Sequence, residues 1–282
     1  MAGTLYLCAT PIGNLEDMTF RVVRILKEVD LIAAEDTRNS IKLLNHFDIH
    51  TPMTSYHEYN KIDKGHELVD KLLEGKNIAL ITDAGMPGIS DPGEELVAFA
   101  CEAGIPVTVL PGASACVTAL ALSGLPTRRF AFEAFLPADK KERKEILEEL
   151  REETRTIILY EAPHRLCKTL EELKEALGEE RRITVCRELT KKHETAFRTT
   201  LGQALTYYQS QPPKGECVLV VAGRPRSEKV REDQQTWQEM PLEDHMAYYL
   251  NQGMERKAAM RQVARDRGCS KRDVYQEIMK KD

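Results

Sequence analysis

Residues 81–93, ITDAGMPGISDPG, form the segment best suited to holding a ligand. Three glycines leave its backbone free of side chains at points of close approach, and two prolines keep it rigid. Such a backbone suits an uncharged or cationic ligand that lies on main-chain N–H and C=O groups. The segment carries no Lys or Arg to neutralise phosphate and lacks the GK[ST] of a P-loop. It therefore predicts a ligand site that is not a P-loop.

Three aspartates at predicted loops have different expected roles. Asp91 is followed by a proline and, three residues on, by Glu94, which is the pattern of a helix N-cap, so capping is its expected role. Asp36 could likewise cap the helix that follows it, or take part in catalysis. Asp83 has no capping pattern around it, and it is therefore the strongest ligand candidate of the three.

Two further loops follow predicted strands. Residues 9–17, ATPIGNLED, contain a single glycine, so the three-glycine turn of a dinucleotide site is missing. Residues 110–115, LPGASA, end a strand and open a helix with small residues, which lets backbone amides face a ligand. An ordinary strand-to-helix connection and close helix packing are the alternative interpretations of these two loops.

The second half of the chain supplies two clusters of titratable side chains. Residues 161–165 read EAPHR, and residues 187–194 read RELTKKHE. They combine carboxylates, imidazoles and cations that could act in proton transfer or hold phosphates. The EDTR of residues 35–38 is another candidate set, at a strand end in the first half. A solvated charged face would have the same composition, so both interpretations stay open.

Composition limits the class of protein. The 282 residues include 42% hydrophobic ones, which is enough for conventional cores. Seven scattered cysteines show no zinc-site spacing, so we expect no metal and a reducing, cytoplasmic environment. Neither a signal peptide nor a membrane span is expected from the apolar runs. The net charge of −5 argues against nucleic-acid binding by bulk charge.

Short β-rich runs alternate with helical patterns, which predicts a mostly parallel sheet covered by helices. The examples are TLYLCA, DLIAAE, KNIALIT and PVTVL, and a second series begins after a charged helix at residues 139–153. We therefore expect an α/β fold. Its predicted parts are an N-terminal domain at residues 1–126, a C-terminal domain at 127–223, a polar linker at 224–240 and a helical extension at 241–282.

The helical extension differs from the body in charge. Residues 251–282 carry nine Lys or Arg against five Asp or Glu. Apolar residues recur there at helical spacing, which predicts three helices, the last capped by Ser270 with Asp273 three residues on. This pattern is typical of a small helix-turn-helix, although a plain helical tail fits it as well.

Taken in order, the motifs ATPIGNLEDMT, AAEDTR, ITDAGMPGISDPG, LPGASA, LYEAPHR and CRELTKKHE resemble the ribosomal RNA small subunit methyltransferase I family of the tetrapyrrole methylases. The resemblance runs from about Leu5 to Gly223, and the tail is similar to the family's helix-turn-helix extension. It implies two αβα domains of the tetrapyrrole-methylase type, a small all-α extension, S-adenosylmethionine in the cleft between the domains, and a homodimer.

The resemblance also implies site residues. The implied cofactor contacts are Pro11, Asp83, Ala84, Gly85, Pro87, Gly88, Ile89, Ser114, Ala115, Glu161 and Leu189. From the chemistry of the titratable clusters, and not from the resemblance, the candidates for catalysis are Glu161, Glu188, Arg187 and Asp36, and those for RNA contact are the cations named below. Glu161 or Glu188 is the expected polar partner of the reacting hydroxyl. The candidates for RNA contact are Arg38, Arg165, Lys191, Lys192, Arg256, Arg261, Lys271 and Arg272.

The implied activity is S-adenosylmethionine-dependent 2′-O-methylation of a cytidine ribose in the decoding region of 16S ribosomal RNA, within the small ribosomal subunit. Two alternatives remain at this point. One is a methylase of tetrapyrrole or corrinoid precursors on the same fold. The other is a helix-turn-helix nucleic-acid binder whose α/β part senses a ligand without methyl turnover.

Overall fold

The computed structural model describes residues 1–279, without the side chains of Lys229, Glu232 and Asp233. The chain forms two compact units. The first comprises residues 1–151 and 155–222, and it contains both β-sheets. The second comprises residues 152–154 and the described residues from 223 to 279. Among the described residues, no helix is long and apolar enough to cross a membrane.

The first sheet has five strands in the order β3-β2-β4-β1-β5, and all neighbours are parallel. The strands are β1 (Leu5–Cys8), β2 (Leu31–Ala34), β3 (Met53–Ser55), β4 (Ile78–Ile81) and β5 (Val107–Leu110). Every residue of the central β4, IALI, is buried, as expected for a strand covered on both faces. The loops that follow the strands therefore meet at one edge, and the predicted parallel sheet is confirmed.

Four helices cover this sheet and a fifth follows it. They are α1 (Phe20–Glu28), α2 (Thr37–His46), α3 (Lys61–Leu73), α4 (Glu94–Glu102) and α5 (Ala115–Ser123). α1 and α2 pack on one face, and α3 and α4 pack on the other. The Thr19 hydroxyl caps α1 by accepting a hydrogen bond from the Val22 N–H at 3.1 Å.

The second sheet is mixed, in the order β6-β7-β10-β8-β9. Its strands are β6 (Phe130–Phe135), β7 (Thr156–Glu161), β8 (Arg182–Arg187), β9 (Thr195–Thr200) and β10 (Cys217–Val221). β6 and β7 are parallel, whereas β10 runs antiparallel between β7 and β8. The first residues of β10 therefore lie at the edge where β7 and β8 end.

Helices cover both faces of the second sheet. α6 (Lys140–Glu152), α7 (Leu166–Leu177) and α8 (Leu201–Ser210) pack on one face. The other face is covered by α5, whose apolar residues lie against β7, β8 and β10. A helix that follows the first sheet in sequence thus belongs to the core of the second. The two predicted α/β domains share a core, and the boundary at residues 126 and 127 stays a prediction.

The second unit consists of α9 (Arg226–Glu239), α10 (Leu242–Asn251), α11 (Arg256–Asp266) and α12 (Lys271–Met279). The three predicted C-terminal helices are confirmed. Ser270 and Asp273 cap each other's backbone N–H groups at 3.2 and 2.9 Å, as their spacing predicts.

The segment 224–240, expected to be a linker, contains the helix α9, which corrects that expectation. The residues from Arg226 to Glu239 include no Gly or Pro, and most are good helix formers. Trp237 near the end of α9 stacks on His245 with ring centroids 4.1 Å apart. This ring contact packs the end of α9 against α10.

Candidate active site

A cavity of about 280 Å³ opens at the carboxyl edge of the first sheet, where the ends of β6, β7 and β8 and the start of β10 complete its wall. The first half of the chain contributes the loops after β1, β4 and β5. The residues that line the cavity are Ile12, Ala84, Gly85, Met86, Ile89, Ser90, Asp91, Ser114, Ala115, Phe135, Tyr160, Glu161, Ala162, Pro163, Leu189, Glu216, Cys217 and Val218.

Two backbone hydrogen bonds join the loops after β1 and β4. The Thr10 N–H donates to the Gly85 carbonyl at 2.8 Å, and the Gly85 N–H donates to the Thr10 carbonyl at 3.1 Å. Gly85 has φ +89°, and a Cβ there would lie 3.4 Å from the Ile12 side chain. The backbone thus forms this wall of the cavity, and a side chain at residue 85 would be strained.

Asp91 is not the N-cap of α4, so that prediction was wrong. The helix begins at Glu94 with Gly93 as its N-cap, at φ +153°. Gly93 packs so closely on Gly88 that a Cβ would lie 2.9 Å from the Gly88 nitrogen. This contact between two glycines, which the local capping pattern does not include, starts the helix two residues later than predicted. Asp91 is left in the cavity wall.

The Asp91 carboxyl group has an unusual environment for an aspartate. Among the residues that the structure describes, none donates a hydrogen bond to it or forms an ion pair with it. Burial raises the pKa of Asp91 to about 7, and the nearby carboxylates of Glu35 and Asp83 add to the increase. Asp91 is therefore a carboxyl group that exchanges its proton near neutral pH.

Glu161, the last residue of β7, is the buried carboxylate of the opposite wall, with 2% of its surface exposed. One carboxylate oxygen accepts a hydrogen bond from the Thr169 hydroxyl at 2.5 Å. The other accepts from the Ala162 N–H at 2.8 Å and lies 3.5 Å from the Arg165 guanidinium. Donors on both oxygens compensate for the burial of this charge.

The cavity wall is acidic and partly aromatic. Asp91, Glu161 and Glu216 supply carboxyl groups, and no Lys, Arg or His belongs to the wall within residues 1–279. The rings of Phe135 and Tyr160 meet edge to face, with centroids 5.6 Å apart. Carboxylates and aromatic faces both attract cations, so the wall favours a positively charged ligand and disfavours phosphate.

Seven of the eleven residues predicted to contact the cofactor line the cavity, namely Ala84, Gly85, Ile89, Ser114, Ala115, Glu161 and Leu189. Pro11, Asp83, Pro87 and Gly88 lie in the same loops but outside the lining. Asp83 is exposed and accepts a hydrogen bond from the Asn39 amide at 2.9 Å.

Of the residues predicted for catalysis, Glu161 alone lies in the cavity wall. Asp36 caps α2 and pairs with Arg38, whose hydrogen bonds lower the pKa of Asp36 to about 2. The Arg187 guanidinium donates to the Lys214 carbonyl. Glu188 lies 3.2 Å from the Lys191 ammonium and accepts from the Glu216 N–H. These three side chains are therefore engaged elsewhere.

The cations predicted to contact RNA differ in their availability. Arg38 is 88% exposed although it pairs with Asp36, and Lys192 is exposed. Arg165 donates to the Leu136 carbonyl at 3.1 Å, and Lys191 bridges Glu188 and Glu216. The four residues of the second unit, Arg256, Arg261, Lys271 and Arg272, are all exposed.

Sequence reasoning missed part of the wall. Glu216, Cys217 and Val218 enter it because β10 runs antiparallel and starts at this edge, and strand direction is not visible in the sequence. Phe135 and Tyr160 lie at strand ends, and this position is the feature of the sequence that could have marked them as wall residues. Backbone strain also marks the surroundings, since Ser90, Glu188 and Thr190 have φ of +66°, +51° and +65°.

Within residues 1–279, no three or more His, Cys, Asp or Glu side chains are grouped so that they could hold a metal ion. The seven cysteines are free thiols, and only Cys101 and Cys269 are exposed. Burial raises the pKa of Cys8 and Cys217 to about 12, so these thiols stay protonated.

Comparison with known proteins identifies the family to which the chain belongs. The model of the tetrapyrrole (corrin/porphyrin) methylases matches residues 4–205. The chain is 52% identical to ribosomal RNA small subunit methyltransferase I of Halalkalibacterium halodurans, over 97% of this chain and 93% of that protein. It is 48% identical to the protein of the same name from Bacillus subtilis, with the same coverage.

Solved structures agree in fold. Diphthine synthase has a TM-score of 0.63 at 14% identity and matches 78% of this chain and 90% of that one. Uroporphyrin-III-C-methyltransferase from Thermus thermophilus has a TM-score of 0.56 at 21% identity, with 77% and 94% matched. From the extent of the family match and the identity to its curated relatives, the chain belongs to the tetrapyrrole methylases and, among them, to the ribosomal RNA small subunit methyltransferase I family.

Proposed function

We propose that this protein transfers a methyl group from S-adenosylmethionine to 16S ribosomal RNA, at the 2′-hydroxyl of a cytidine ribose in the decoding region. The proposal rests on the acidic, partly aromatic cavity, which this chain of the methyltransferase family contains. The finer parts, which are the ribose position, the assembled small subunit as substrate and the homodimer, rest on the resemblance of the motifs.

The residues of the cavity fit S-adenosylmethionine, which supplies an activated methyl group on a positively charged sulfur. The carboxyl groups and aromatic rings of the cavity suit that charge. No Lys, Arg or His lines the wall within the described residues, and the nearby Arg165 and Lys191 are paired with Glu161 and Glu216. Because residue 85 has no side chain, a ligand can approach the backbone closely there. Ser114 is the N-cap of α5 without a side-chain capping bond, so its hydroxyl remains available to a ligand.

The two carboxyl groups of the opposite walls suit two different tasks. Glu161 is fixed by donors on both oxygens, and we assign it to binding and orienting polar groups in the cavity. Asp91 is held by no donor within the described residues, and its pKa of about 7 suits a group that takes a proton. We assign Asp91 to accepting the proton of the reacting hydroxyl. Glu188, the other predicted partner of that hydroxyl, is paired with Lys191 outside the wall.

Two other functions are compatible with the fold. Uroporphyrin-III-C-methyltransferase and cobalt precorrin-4 methyltransferase share this fold, which would fit a tetrapyrrole methylase, but they are at most 21% identical to this chain. A ligand-sensing nucleic-acid binder would bind a ligand in the cavity without transferring a methyl group. The identity of about half of the residues to ribosomal RNA methyltransferases favours the first proposal over both.

The test is to incubate the protein with S-adenosylmethionine labelled in the methyl group and with three acceptors in parallel. The acceptors are small ribosomal subunits that lack the modification, naked 16S RNA and a porphyrin precursor. Label is expected in the RNA of the subunits, at a ribose that becomes resistant to alkaline cleavage on its 3′ side. Label in the porphyrin precursor alone, or binding without transfer to any acceptor, would refute the proposal.

A further inference from the structure

A line of buried polar side chains leads from the cavity into the layer of helices α6, α7 and α8 on one face of the second sheet. It begins at Glu161, continues through Thr169 of α7 and Arg143 of α6, and ends at Glu172. Glu161, Thr169 and Arg143 are 2%, 1% and 5% exposed. Glu161 is thus joined to groups far from the cavity surface.

The direction of each hydrogen bond in this line is fixed. Arg143 has only donors, and its Nη2 donates to the Thr169 hydroxyl oxygen at 2.8 Å. The hydroxyl hydrogen is therefore directed to Glu161, whose carboxylate accepts it at 2.5 Å. Arg143 is itself held by Glu172, with its Nε 2.6 Å from the carboxylate, and by the carbonyls of Leu136 and Pro137.

The arrangement fixes the rotation of the Glu161 carboxyl group. With one oxygen held by Thr169 and the other by the Ala162 N–H, the carboxylate plane cannot turn without breaking a bond. Hydrogen bonds in such a chain polarise one another in a buried setting, so each strengthens the next. Glu161 also lines the cavity, so a ligand there meets a carboxyl group of fixed orientation.

We propose that Thr169 and Arg143 are positioning residues that hold the Glu161 carboxylate in the orientation needed to bind the cofactor. The inference rests on the proposed function, because it takes Glu161 as a cofactor contact. Neither residue lines the cavity, so both act through Glu161. A purely structural role would stabilise the helical layer and leave ligand affinity unchanged.

The experiment compares Thr169→Val with Thr184→Val in the full chain. Thr184 is a matched control, since it is 2% exposed and its hydroxyl donates a buried hydrogen bond to the Ser123 carbonyl at 2.9 Å. Calorimetry measures the affinity for S-adenosylhomocysteine, and melting temperature measures stability. Thr169→Val should weaken binding about tenfold. The reason is that it removes a charge-assisted hydrogen bond that holds the Glu161 carboxyl group in one orientation. Thr184→Val should lower the melting temperature without changing affinity.

Two further variants isolate the role of Glu161. Thr169→Ser, which keeps the hydroxyl, should restore most of the affinity. In a Glu161→Gln background, Thr169→Val should cause no further loss, because the group that it positions has been changed. If Thr169→Val fails to fold, Arg143→Gln is measured in the same way and should show the same loss of affinity.

The outcomes separate this inference from the proposed function. If the unmodified protein binds S-adenosylhomocysteine and the affinity of Thr169→Val equals that of Thr184→Val, the positioning role is refuted and the proposed function stands. Additive losses in the Glu161→Gln background also refute it. If the unmodified protein binds neither S-adenosylhomocysteine nor S-adenosylmethionine, the proposed function itself is refuted.

Discussion

The hydroxyl of Tyr160, the penultimate residue of strand β7, accepts a hydrogen bond from the backbone N–H of Cys116 at 3.0 Å. Cys116 lies in the first turn of α5, which follows the last strand of the first sheet, whereas Tyr160 belongs to the second sheet. The first turn of a helix has N–H groups without partners inside the helix. The Tyr160 hydroxyl, on the opposite cavity wall, accepts a hydrogen bond from one of these N–H groups, so this bond connects the two walls.

Replacing Tyr160 with Phe removes this bond and keeps the ring. The Cys116 N–H then has no partner, which should cost about 1 kcal/mol of unfolding free energy. The measurement is chemical denaturation of the variant and the unmodified protein. Tyr207→Phe is the control, because Tyr207 has no hydrogen bond to its hydroxyl in the described part of the chain and keeps its contact with Phe197. Equal losses in both variants would contradict the prediction.

Gly85→Ala should reduce both stability and ligand affinity. At φ +89° an alanine costs about 1 to 2 kcal/mol, and its methyl group would also enter the backbone wall of the cavity. Gly104→Ala is the matched control, since Gly104 has φ +67° and open space around it. Both variants should lose stability in denaturation experiments, but only Gly85→Ala should weaken binding of S-adenosylmethionine in calorimetry. Unchanged affinity in Gly85→Ala would place the ligand elsewhere.

Asp91 should make stability depend on pH. Its pKa of about 7 in the folded protein lies above the ordinary value of 3.8, so the folded state binds this proton more tightly than the unfolded chain does. The resulting stabilisation is fully present below about pH 4 and is lost as the pH rises through 7. Asp91→Asn should therefore gain stability relative to the unmodified protein between about pH 5 and pH 8. Glu94→Gln, an exposed neighbour, should show no such gain.

The same residue should control the rate of methyl transfer. If Asp91 accepts the hydroxyl proton, single-turnover rates should rise with pH through about 7 in the unmodified protein and lose that rise in Asp91→Asn. Asp91→Glu should recover part of the rate. A pH profile of Asp91→Asn that matches the unmodified protein would assign proton removal to another group.

The exposed cations of the second unit should carry a share of RNA binding. A variant with Arg256, Arg261, Lys271 and Arg272 all changed to Gln should bind ribosomal RNA more weakly. Its log–log salt slope should fall by roughly 0.7 to 0.9 for each RNA phosphate that these cations neutralise in the unmodified protein. Affinity for S-adenosylmethionine should stay the same. Equal salt slopes in the two proteins, with the oligomeric state unchanged in sedimentation, would reject RNA binding by these residues.

The sequence predicted the elements whose signal is local. β1, β2 and β4 are apolar runs because buried parallel strands need them, and the loops after β1, β4 and the edge strand β5 do form the cavity. β3 was missed because a strand of three residues, MTS, has too little pattern. α9 was missed because its polar sequence has no periodic apolar residues to mark a helix.

The site was predicted less fully than the fold, for physical reasons. The capping pattern at Asp91 is local, but the contact of Gly93 with Gly88 overrides it. The place of Glu216 in the wall depends on the antiparallel direction of β10, which the sequence does not encode in any short motif. Glu161 could be placed from its motif, yet its partners Thr169 and Arg143 lie on two separate helices.

The strand order has a consequence for synthesis of the chain. The first strand to be made, β1, lies between β4 and β5, so the first sheet cannot close before Leu110 has been added. The second sheet closes later still, because its central strand β10 is its last and begins at Cys217. Until then the apolar face of α5 lacks its complete partner, since it packs on β7, β8 and β10 of the second sheet. At about 5 to 20 residues per second, synthesis from Leu110 to Cys217 takes about 5 to 20 seconds, and for that time the apolar face of α5 lacks the completed sheet that covers it.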